Sequence, residues 1–551
     1  MKDNQLGISL PHLNNDIVRN ARKTRLDAFS VALEGWRRGL KLKWYTKDSE
    51  HFENMVIFGV NPPGRLFSLT SEKQTHYFFR TRGDLVSSEA VEIGSEKDDT
   101  KIYLGNAGVP VPKGKGFEAE ATNEEIIEFA DTVGFPLVLK PTNASLGNGV
   151  VTNIKNREQL IKAIHYVRRE LEYEEVVLEQ YVSGKEYRVY VVGDEVIAAY
   201  NRVPANIMGD GEHTIEQLID IKNAIRRKNA RLNSCLIHMD VEILEFIQEA
   251  GYTLESVPEK DKVIYLREKT NVSSGGDPVD VTDTLPQEYK DIAINALKAI
   301  DDFPQGGVDI IVNDREDLKG EAVVIELNPT AQIGGALFPI EGKSRDIPKA
   351  IIDYYFPETK GKVDTTKSRV SFNLINVLEP LENRAALEVE VAPAPIGELY
   401  IRKYIVNGNV QRYNYHKWLK RQALAQNLHG YVKSMVFDEI EVVVAGTDQK
   451  AVEDFKEVIK GYPQGSEVTR IKEEDYDSFI TVGFEISEQY NTNNIKSVQH
   501  ALRSMDKDLQ EFRKKKDRAE KDIKHILNST SWKVTESIRK VGSKVKDKSR
   551  R

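Results

Sequence analysis

Two segments far apart in the chain carry residue types suited to a nucleotide bound together with a metal ion. The first runs from Lys140 to Val150 and includes Gly147 and Gly149. Glycine lets the backbone approach closely and turn its amides toward phosphate oxygens, while lysine neutralises charge on the same group. Taken alone, this loop has an ordinary tight turn as its alternative interpretation.

The second segment supplies oxygen ligands. Asp309 and Glu326 each lie beside short apolar runs, and pairing of these runs as neighbouring strands would bring both carboxylates onto one face. Asn328 points to the same side as Glu326, because side chains two residues apart share a face of a strand. Such a cluster suits Mg²⁺, which completes its shell from water and nucleotide phosphates. A solvated strand face is the alternative.

The elements around these residues alternate between short apolar strands and longer helices. Strands are predicted at 136–140, 176–182 and 188–192, the first ending in Lys140. This pattern predicts one mixed domain over 88–360, which must position both segments.

Further motifs stand in order along this domain. They are Lys97 before Ala107-Gly-Val-Pro-Val-Pro112, Lys140 to Val150, Glu179 to Arg188, Arg202 to Gly211, Asn271 to Gly276, Gly307-Val-Asp309, and Glu326-Leu-Asn328. Together they resemble an ATP-grasp domain, and they are most similar to those of cyanophycin synthetases and bifunctional glutathione synthetases.

The resemblance implies ATP as a ligand, with Mg²⁺ or Mn²⁺, and a role for individual residues. The implied phosphate contacts are Lys97, Lys140, Gly147 and Gly149. The implied adenine contacts are Glu179 and the backbone near Tyr181 and Val182, and Glu186 would hold the ribose. The metal would be bound by Asp309, Glu326 and Asn328.

The implied reaction is amide formation through an acylphosphate, with release of ADP and phosphate. Positioning and electrostatic stabilisation dominate phosphoryl transfer, so cationic side chains are the candidates for catalysis. We assign this role to Arg267, in the segment that resembles the family's substrate-side strand, and to Arg202. Pairing with surface carboxylates is the alternative for both arginines. His213 and Lys269 are weaker candidates.

The substrates do not follow from the resemblance. Cyanophycin synthetase has a second, Mur-ligase-like domain and bifunctional glutathione synthetase has a glutamate-cysteine ligase domain, and we expect neither in this chain. We expect the acid and the amine to be found among amino acids, peptides and envelope precursors. An ATP-binding pseudoenzyme or scaffold is one alternative, and an ATP-grasp phosphotransferase is another. Lys97, Lys140 and the intact metal ligands favour an enzyme.

Residues 396–486 read as strand, helix, strand, strand, helix, strand, which is the ferredoxin-like order. The segment resembles an acylphosphatase. His416 stands where that family has an arginine, Ser434 where it has an asparagine, and Arg412 begins a loop that lacks the family's glycines. Loss of the permissive backbone and of the guanidinium predicts no acylphosphatase activity. A packing or docking module is the expected role, with a weak anion site at Arg412 or His416 as the alternative.

Residues 490–528 carry apolar side chains at alternating steps of three and four, which predicts a coiled coil and a homo-oligomer. One amphipathic helix packed on the protein itself is the alternative. Residues 529–551 are basic and resemble tails of some bacterial envelope glycosyltransferases. Their mixture of Trp532, aliphatic residues and lysines suits reversible contact with an anionic membrane. A disordered solubilising end is the alternative. No basic groove interleaved with aromatic residues indicates nucleic acid.

The whole chain has 551 residues and a formal net charge of −8, and its length predicts several domains. An α/β domain is expected at 1–87, with a helix over 18–42 and a strand-like piece at 55–59, and a linker at 361–395. The single cysteine, Cys235, excludes a disulfide scaffold, and no apolar run is long enough to span a membrane. We therefore expect an α+β protein in the cytoplasm.

Overall fold

The computed structural model describes residues 9–59, 61–142, 149–314, 319–410, 413–435, 439–461 and 467–487, with Arg513 and Lys516. Apart from those two residues, the predicted coiled coil and basic tail lie outside the described residues. The chain forms two compact units. The first contains Met1–Gln248, Tyr252–Leu399 and Asp477–Val482, and the second is built on Tyr400–Tyr476 and resumes at Gly483.

Helices and strands alternate along most of the described chain. The helices are α1 (Thr24–Arg37), α2 (Ser88–Ser95), α3 (Lys97–Asn106), α4 (Asn123–Val133), α5 (Arg157–His165), α6 (Ile215–Arg227), α7 (Val241–Glu249), α8 (Gln287–Lys298), α9 (Gly334–Leu337), α10 (Ile347–Tyr355), α11 (Leu374–Glu382), α12 (Tyr413–Ala425) and α13 (Gln449–Lys460). Within the described ranges, none of them is long and apolar enough to cross a bilayer.

The strands are β1 (Lys41–Tyr45), β2 (Leu66–Thr70), β3 (Thr75–Phe79), β4 (Arg82–Gly83), β5 (Gly114–Phe117), β6 (Leu137–Pro141), β7 (Val151–Ile154), β8 (Val176–Gln180), β9 (Gly184–Val192), β10 (Glu195–Val203), β11 (Asn206–Met208), β12 (Val263–Tyr265), β13 (Asp277–Asp280), β14 (Gln305–Asn313), β15 (Ala322–Asn328), β16 (Val370–Ser371), β17 (Glu388–Glu390), β18 (Tyr400–Gly408), β19 (His429–Ser434), β20 (Glu439–Gly446), β21 (Val468–Glu474), β22 (Ile480–Thr481) and β23 (Phe484–Ser487).

Three larger sheets organise the first unit. Their strand orders are β17-β1-β2-β3-β4, β13-β10-β9-β14-β15 and β5-β8-β6-β7. The second of these is antiparallel throughout, with β9 at its centre and β14 and β15 at one side. This sheet carries Glu186, Arg202, Asp309, Glu326 and Asn328, and the four-stranded sheet carries Lys140 and Glu179.

One core joins elements that we predicted to be separate. Phe29 and Trp36 of α1 belong to the same buried cluster as Tyr190 of β9 and Ile351 of α10. Residues 1–87 and 88–360 therefore fall in one compact unit. The expected helix over 18–42 is shorter, since α1 ends at Arg37.

The segment at 361–395, expected to be a linker, is folded. Leu374, Leu378 and Leu381 lie at steps of four and three and are buried on one face of α11. Farther along, Val389 of β17 pairs with Trp44 at the edge of the first sheet. By contrast, the strand expected at 55–59 is absent from the described elements, because the chain there runs as a loop.

The second unit confirms the ferredoxin-like order. Its sheet runs β21-β18-β20-β19-β23, with α12 following β18 and α13 following β20. Residues that alternate along the strands, such as Val442 and Val444, face a core shared with Leu419 and Phe455.

Candidate active site

The register of β14 and β15 brings the predicted metal ligands together. Asp309 lies directly opposite Glu326, and Gly307 lies opposite Asn328. Opposite residues of an antiparallel pair point to the same face, so the three polar side chains share one face of the large sheet. The Asn328 Nδ2 atom lies 3.5 Å from Asp309 Oδ2. The strand pairing expected from the sequence is therefore present.

Asp309 is held by two arginines from neighbouring strands. Arg188 of β9 binds both carboxylate oxygens, with Nη2 2.7 Å from Oδ2, and Arg202 of β10 places Nη1 3.2 Å from the same oxygen. Asp309 is fully buried, and burial alone would raise its pKa. The two guanidinium groups outweigh burial and lower the pKa, so the carboxylate is ionised at neutral pH. Arg188 carried no assigned role in the sequence.

The donor set fits a hard divalent cation. Two carboxylates and a carboxamide oxygen on one face are ligands that Mg²⁺ accepts, with water and phosphate oxygens completing the shell. Across the described ranges, no three His, Cys, Asp or Glu side chains gather as an all-protein metal site. A metal at this face would therefore rely on Asp309, Glu326 and Asn328 together with ligands from outside the protein.

A second charged cluster lies on the four-stranded sheet. Lys140 at the end of β6 forms a hydrogen bond with Glu179 of β8, and Lys101 of α3 places Nζ 2.5 Å from the other Glu179 oxygen. Burial alone would raise the pKa of Glu179, but the two lysines lower it. Lys101 was missed in the sequence, although it stands one helical turn after Lys97 and could have been found by that spacing.

The remaining phosphate-loop residues are only partly described. Gly147 lies outside the described residues, and Lys97 begins α3 with its side chain outside them as well. Gly149 adopts φ +68°, and a Cβ there would lie 2.8 Å from Pro141 Cγ. Both the left-handed backbone and the close approach require glycine at this position.

The segment after β8 contains the residues expected at adenine. The Tyr181 backbone amide donates to the Pro136 carbonyl at 3.0 Å, so its carbonyl rather than its amide would face a base. Val182 is buried. The pKa of the Tyr181 hydroxyl is raised by burial and by the nearby carboxylates of Glu268 and Asp314.

Glu186, the residue expected at the ribose, is connected to the candidate metal ligand Asp309 through Arg202. Its carboxylate accepts from Arg202 Nη1 at 2.6 Å and from the hydroxyl of Thr270. Arg202 therefore bridges the expected ribose ligand and Asp309. Burial alone would lower the pKa of Arg202, but Asp309 and Glu186 raise it, so the side chain stays charged.

Arg267 is not brought to this cluster by its contacts. Its Nη2 atom lies 2.5 Å from Asp240 Oδ2, and its Nη1 atom donates to Glu242. The arginine is 5% exposed, whereas the side chains of the two acids are 49% and 47% exposed. In this arrangement Arg267 pairs with surface carboxylates, which is the alternative that the sequence left open.

Comparison with known families agrees with these two units. Residues 103–254 match the family described as D-ala D-ala ligase C-terminus, and residues 402–486 match the acylphosphatase family. Cyanophycin synthetase of Crocosphaera subtropica is 31% identical over 297 residues, or 50% of this chain and 34% of that protein. The glutathione biosynthesis bifunctional protein GshAB of Pasteurella multocida is 35% identical over 272 residues, or 47% and 35%.

Among solved structures, the bifunctional glutathione synthetase from Pasteurella multocida is similar to 53% of this chain and 41% of its own chain, at 31% identity and a TM-score of 0.43. The chain spans about a third of the length of the two curated relatives. Residues 103–254, which include Lys140 and Glu179, thus match an ATP-grasp ligase family, about half of the chain is similar to cyanophycin synthetase and GshAB, and residues 402–486 match the acylphosphatase family.

Proposed function

We propose that this protein is an ATP- and Mg²⁺-dependent ligase that joins a carboxylate to an amine. The observation that supports this most is the placement of Asp309, Glu326 and Asn328 on one face of paired strands, with Arg202 beside them. ATP-grasp ligases use ATP with Mg²⁺ or Mn²⁺, and the donor set fits that pair.

The proposed reaction has two steps. A substrate carboxylate oxygen attacks the terminal phosphorus of ATP, giving an acylphosphate and ADP. The amine nitrogen then attacks the acyl carbon, expels phosphate and loses a proton to solvent or to the released phosphate. A metal held by Asp309, Glu326 and Asn328 would neutralise charge on the phosphates. Lys140 and Lys101 add positive charge near Glu179, and Arg202 supplies a guanidinium that is buried and permanently charged.

The remaining proposals rest on the sequence patterns described above. The acid and amine are small molecules among amino acids, peptides and envelope precursors. The acylphosphatase-family domain serves as a docking module without hydrolytic activity, the segment at 490–528 joins copies of the chain, and the basic tail touches an anionic membrane from the cytoplasmic side.

The test is a product analysis. Purified full-length protein is incubated with ATP, Mg²⁺ and pooled acids and amines, and products are identified by mass spectrometry alongside ADP release. The ligase proposal expects an amide whose formation falls with Glu326→Gln. A phosphorylated acid without amide would identify a phosphotransferase, and ADP release no greater than that of the variant would reject the ligase.

A further inference from the structure

Three arginines of the first unit meet at the base of the β2–β3 hairpin. Arg65 precedes β2 and Arg80 follows β3, and the Arg80 amide donates to the Arg65 carbonyl at 2.8 Å. Arg25 of α1 reaches the same place, since its Nε donates to the Pro63 carbonyl at 2.9 Å. We call Arg25, Arg65 and Arg80 the N-terminal arginine cluster.

The cluster holds more positive charge than its surroundings neutralise. Arg80 pairs with the buried Asp27 at 2.9 Å, and Arg25 pairs with Glu382 at 2.6 Å. In the described part of the chain Arg65 has no ion pair. Its Nε atom and that of Arg80 are buried without a hydrogen-bond acceptor there. Burial and the neighbouring Arg80 and Arg25 lower the pKa of Arg65, and the attraction of Asp27 opposes them only in part.

Such an arrangement is unfavourable unless something else binds it. Like charges repel more strongly where water is excluded, and a buried donor without an acceptor loses the hydrogen bond it made in water. Guanidinium groups match the geometry of carboxylate and phosphate oxygens. An oxyanion is therefore the ligand chemistry that would satisfy the cluster.

A cavity of about 460 Å³ opens beside Arg25, which lines it. Its walls include two more cations, Lys47 and Arg384, and two acids, Asp48 and Glu382. The volume lies within the range of small-molecule sites. Of the three arginines, Arg25 lines the cavity and Arg65 and Arg80 do not, so an anion in the cavity would reach the cluster through Arg25.

The cluster is also tied to the loop that leaves the metal strand. Asp27, the partner of Arg80, accepts a hydrogen bond from the Ile333 amide at 3.1 Å. Thr81, next to Arg80, donates to the Ala331 carbonyl at 3.2 Å. Ala331 and Ile333 lie three and five residues after Asn328. These hydrogen bonds therefore connect the cluster to the loop that follows the candidate metal ligand Asn328.

We propose that the N-terminal arginine cluster binds a multiply charged oxyanion, and that this anion is part of the acid substrate. The second half of this statement rests on the proposed ligase function. The acid would then carry, besides the reacting carboxylate, a further carboxylate or a phosphoryl group.

The test measures anion binding without ATP. Citrate and inorganic phosphate are titrated separately into the protein by calorimetry, for the wild type, for Arg65→Gln and for the control Arg19→Gln, which removes an exposed arginine outside the cluster. We expect at least one anion to bind and Arg65→Gln to weaken it about tenfold or more, the value of one charge-assisted hydrogen bond, with Arg19→Gln unchanged. Tighter binding of citrate would indicate that the recognised group is a carboxylate, and tighter binding of phosphate would indicate a phosphoryl group.

Melting temperature separates binding from a structural role. Without added anion, Arg65→Gln should melt at or above the wild-type temperature, because it relieves repulsion and breaks no ion pair of the described residues. Absence of binding at millimolar anion, equal binding by Arg65→Gln, or a lowered melting temperature with unchanged affinity would each overturn the site. Anion binding lost in Arg65→Gln, together with no amide product, would leave the site standing and reject the ligase.

Discussion

Arg188 and Asp309 face each other across β9 and β14, and the guanidinium binds both oxygens of the carboxylate. Asp309 also lies opposite Glu326 on the other side of β14. The ion pair thus fixes the orientation of Asp309, a proposed metal ligand, from the neighbouring strand β9. Arg188 is accordingly a positioning residue for the proposed metal ligands.

Replacement of Arg188 by methionine should destabilise the protein strongly. The change leaves Asp309 buried with one of its two guanidinium partners gone, and loss of one partner of a buried pair costs about 3–5 kcal/mol in the free energy of unfolding. Urea denaturation measures it. The double variant Arg188→Met with Asp309→Leu should recover much of the loss, and a single variant as stable as wild type would contradict the account.

Glu179 should make stability depend on acid pH. Lys140 and Lys101 lower its pKa below the ordinary value of 4.5 against the opposing effect of burial. The ionised carboxylate therefore contributes stability above pH 4.5, and this contribution is lost as pH falls through the lower folded-state pKa. The difference in unfolding free energy between wild type and Glu179→Gln should hold from pH 7 to about pH 5 and shrink below it.

A matched control distinguishes this buried pair from a surface pair. Glu158 pairs with Lys162, and both side chains are more than 70% exposed. Glu158→Gln should change the unfolding free energy little at any pH, because exposed pairs are screened by solvent. Equal effects of the two substitutions would show that the Glu179 cluster is no more than a surface pair.

The sequence predicted some of this site and not the rest, for physical reasons. The pairing of Asp309 with Glu326 was foreseeable, because two apolar runs near in sequence form a hairpin and the period of a strand sets the shared face. The arginine partners of Asp309 were not foreseeable, because a strand pattern does not show which strands are neighbours in the sheet, and therefore which carboxylate pairs with Arg188. The folded segment at 361–395 was missed because α11 is one short helix of 9 residues with Pro380 inside it, and proline favours a turn or a break.

Arg202 should contribute to the rate of phosphoryl transfer from ATP. It bridges Glu186 and Asp309 in the absence of nucleotide, and together with Arg188 it is one of two buried guanidinium groups that contact the proposed metal ligand Asp309. Arg202→Gln should lower the rate of ADP release by about 10²–10³, the effect of removing one preorganised electrostatic group. The exposed Arg227→Gln serves as control, and comparable rates for both variants would remove Arg202 from the catalytic machinery.

The acylphosphatase-family domain should be inactive as a hydrolase. His416, which the sequence resemblance sets where that family has a phosphate-binding arginine, is buried, and Ser434, expected where the family has asparagine, ends β19. Full-length protein should not hydrolyse benzoyl phosphate above the spontaneous rate. Hydrolysis that disappears in His416→Ala would reverse this conclusion.

The central claim is that a substrate carboxylate takes a phosphoryl group from ATP. Acids of the pool are labelled with ¹⁸O in their carboxylates, and the phosphate released with ADP is analysed by mass spectrometry. The account predicts one ¹⁸O atom in each phosphate, since an oxygen of the acid leaves with phosphorus, and loss of the labelled phosphate in Glu326→Gln. Phosphate without ¹⁸O, released with ADP by the wild type, would show transfer to water and contradict the ligase mechanism.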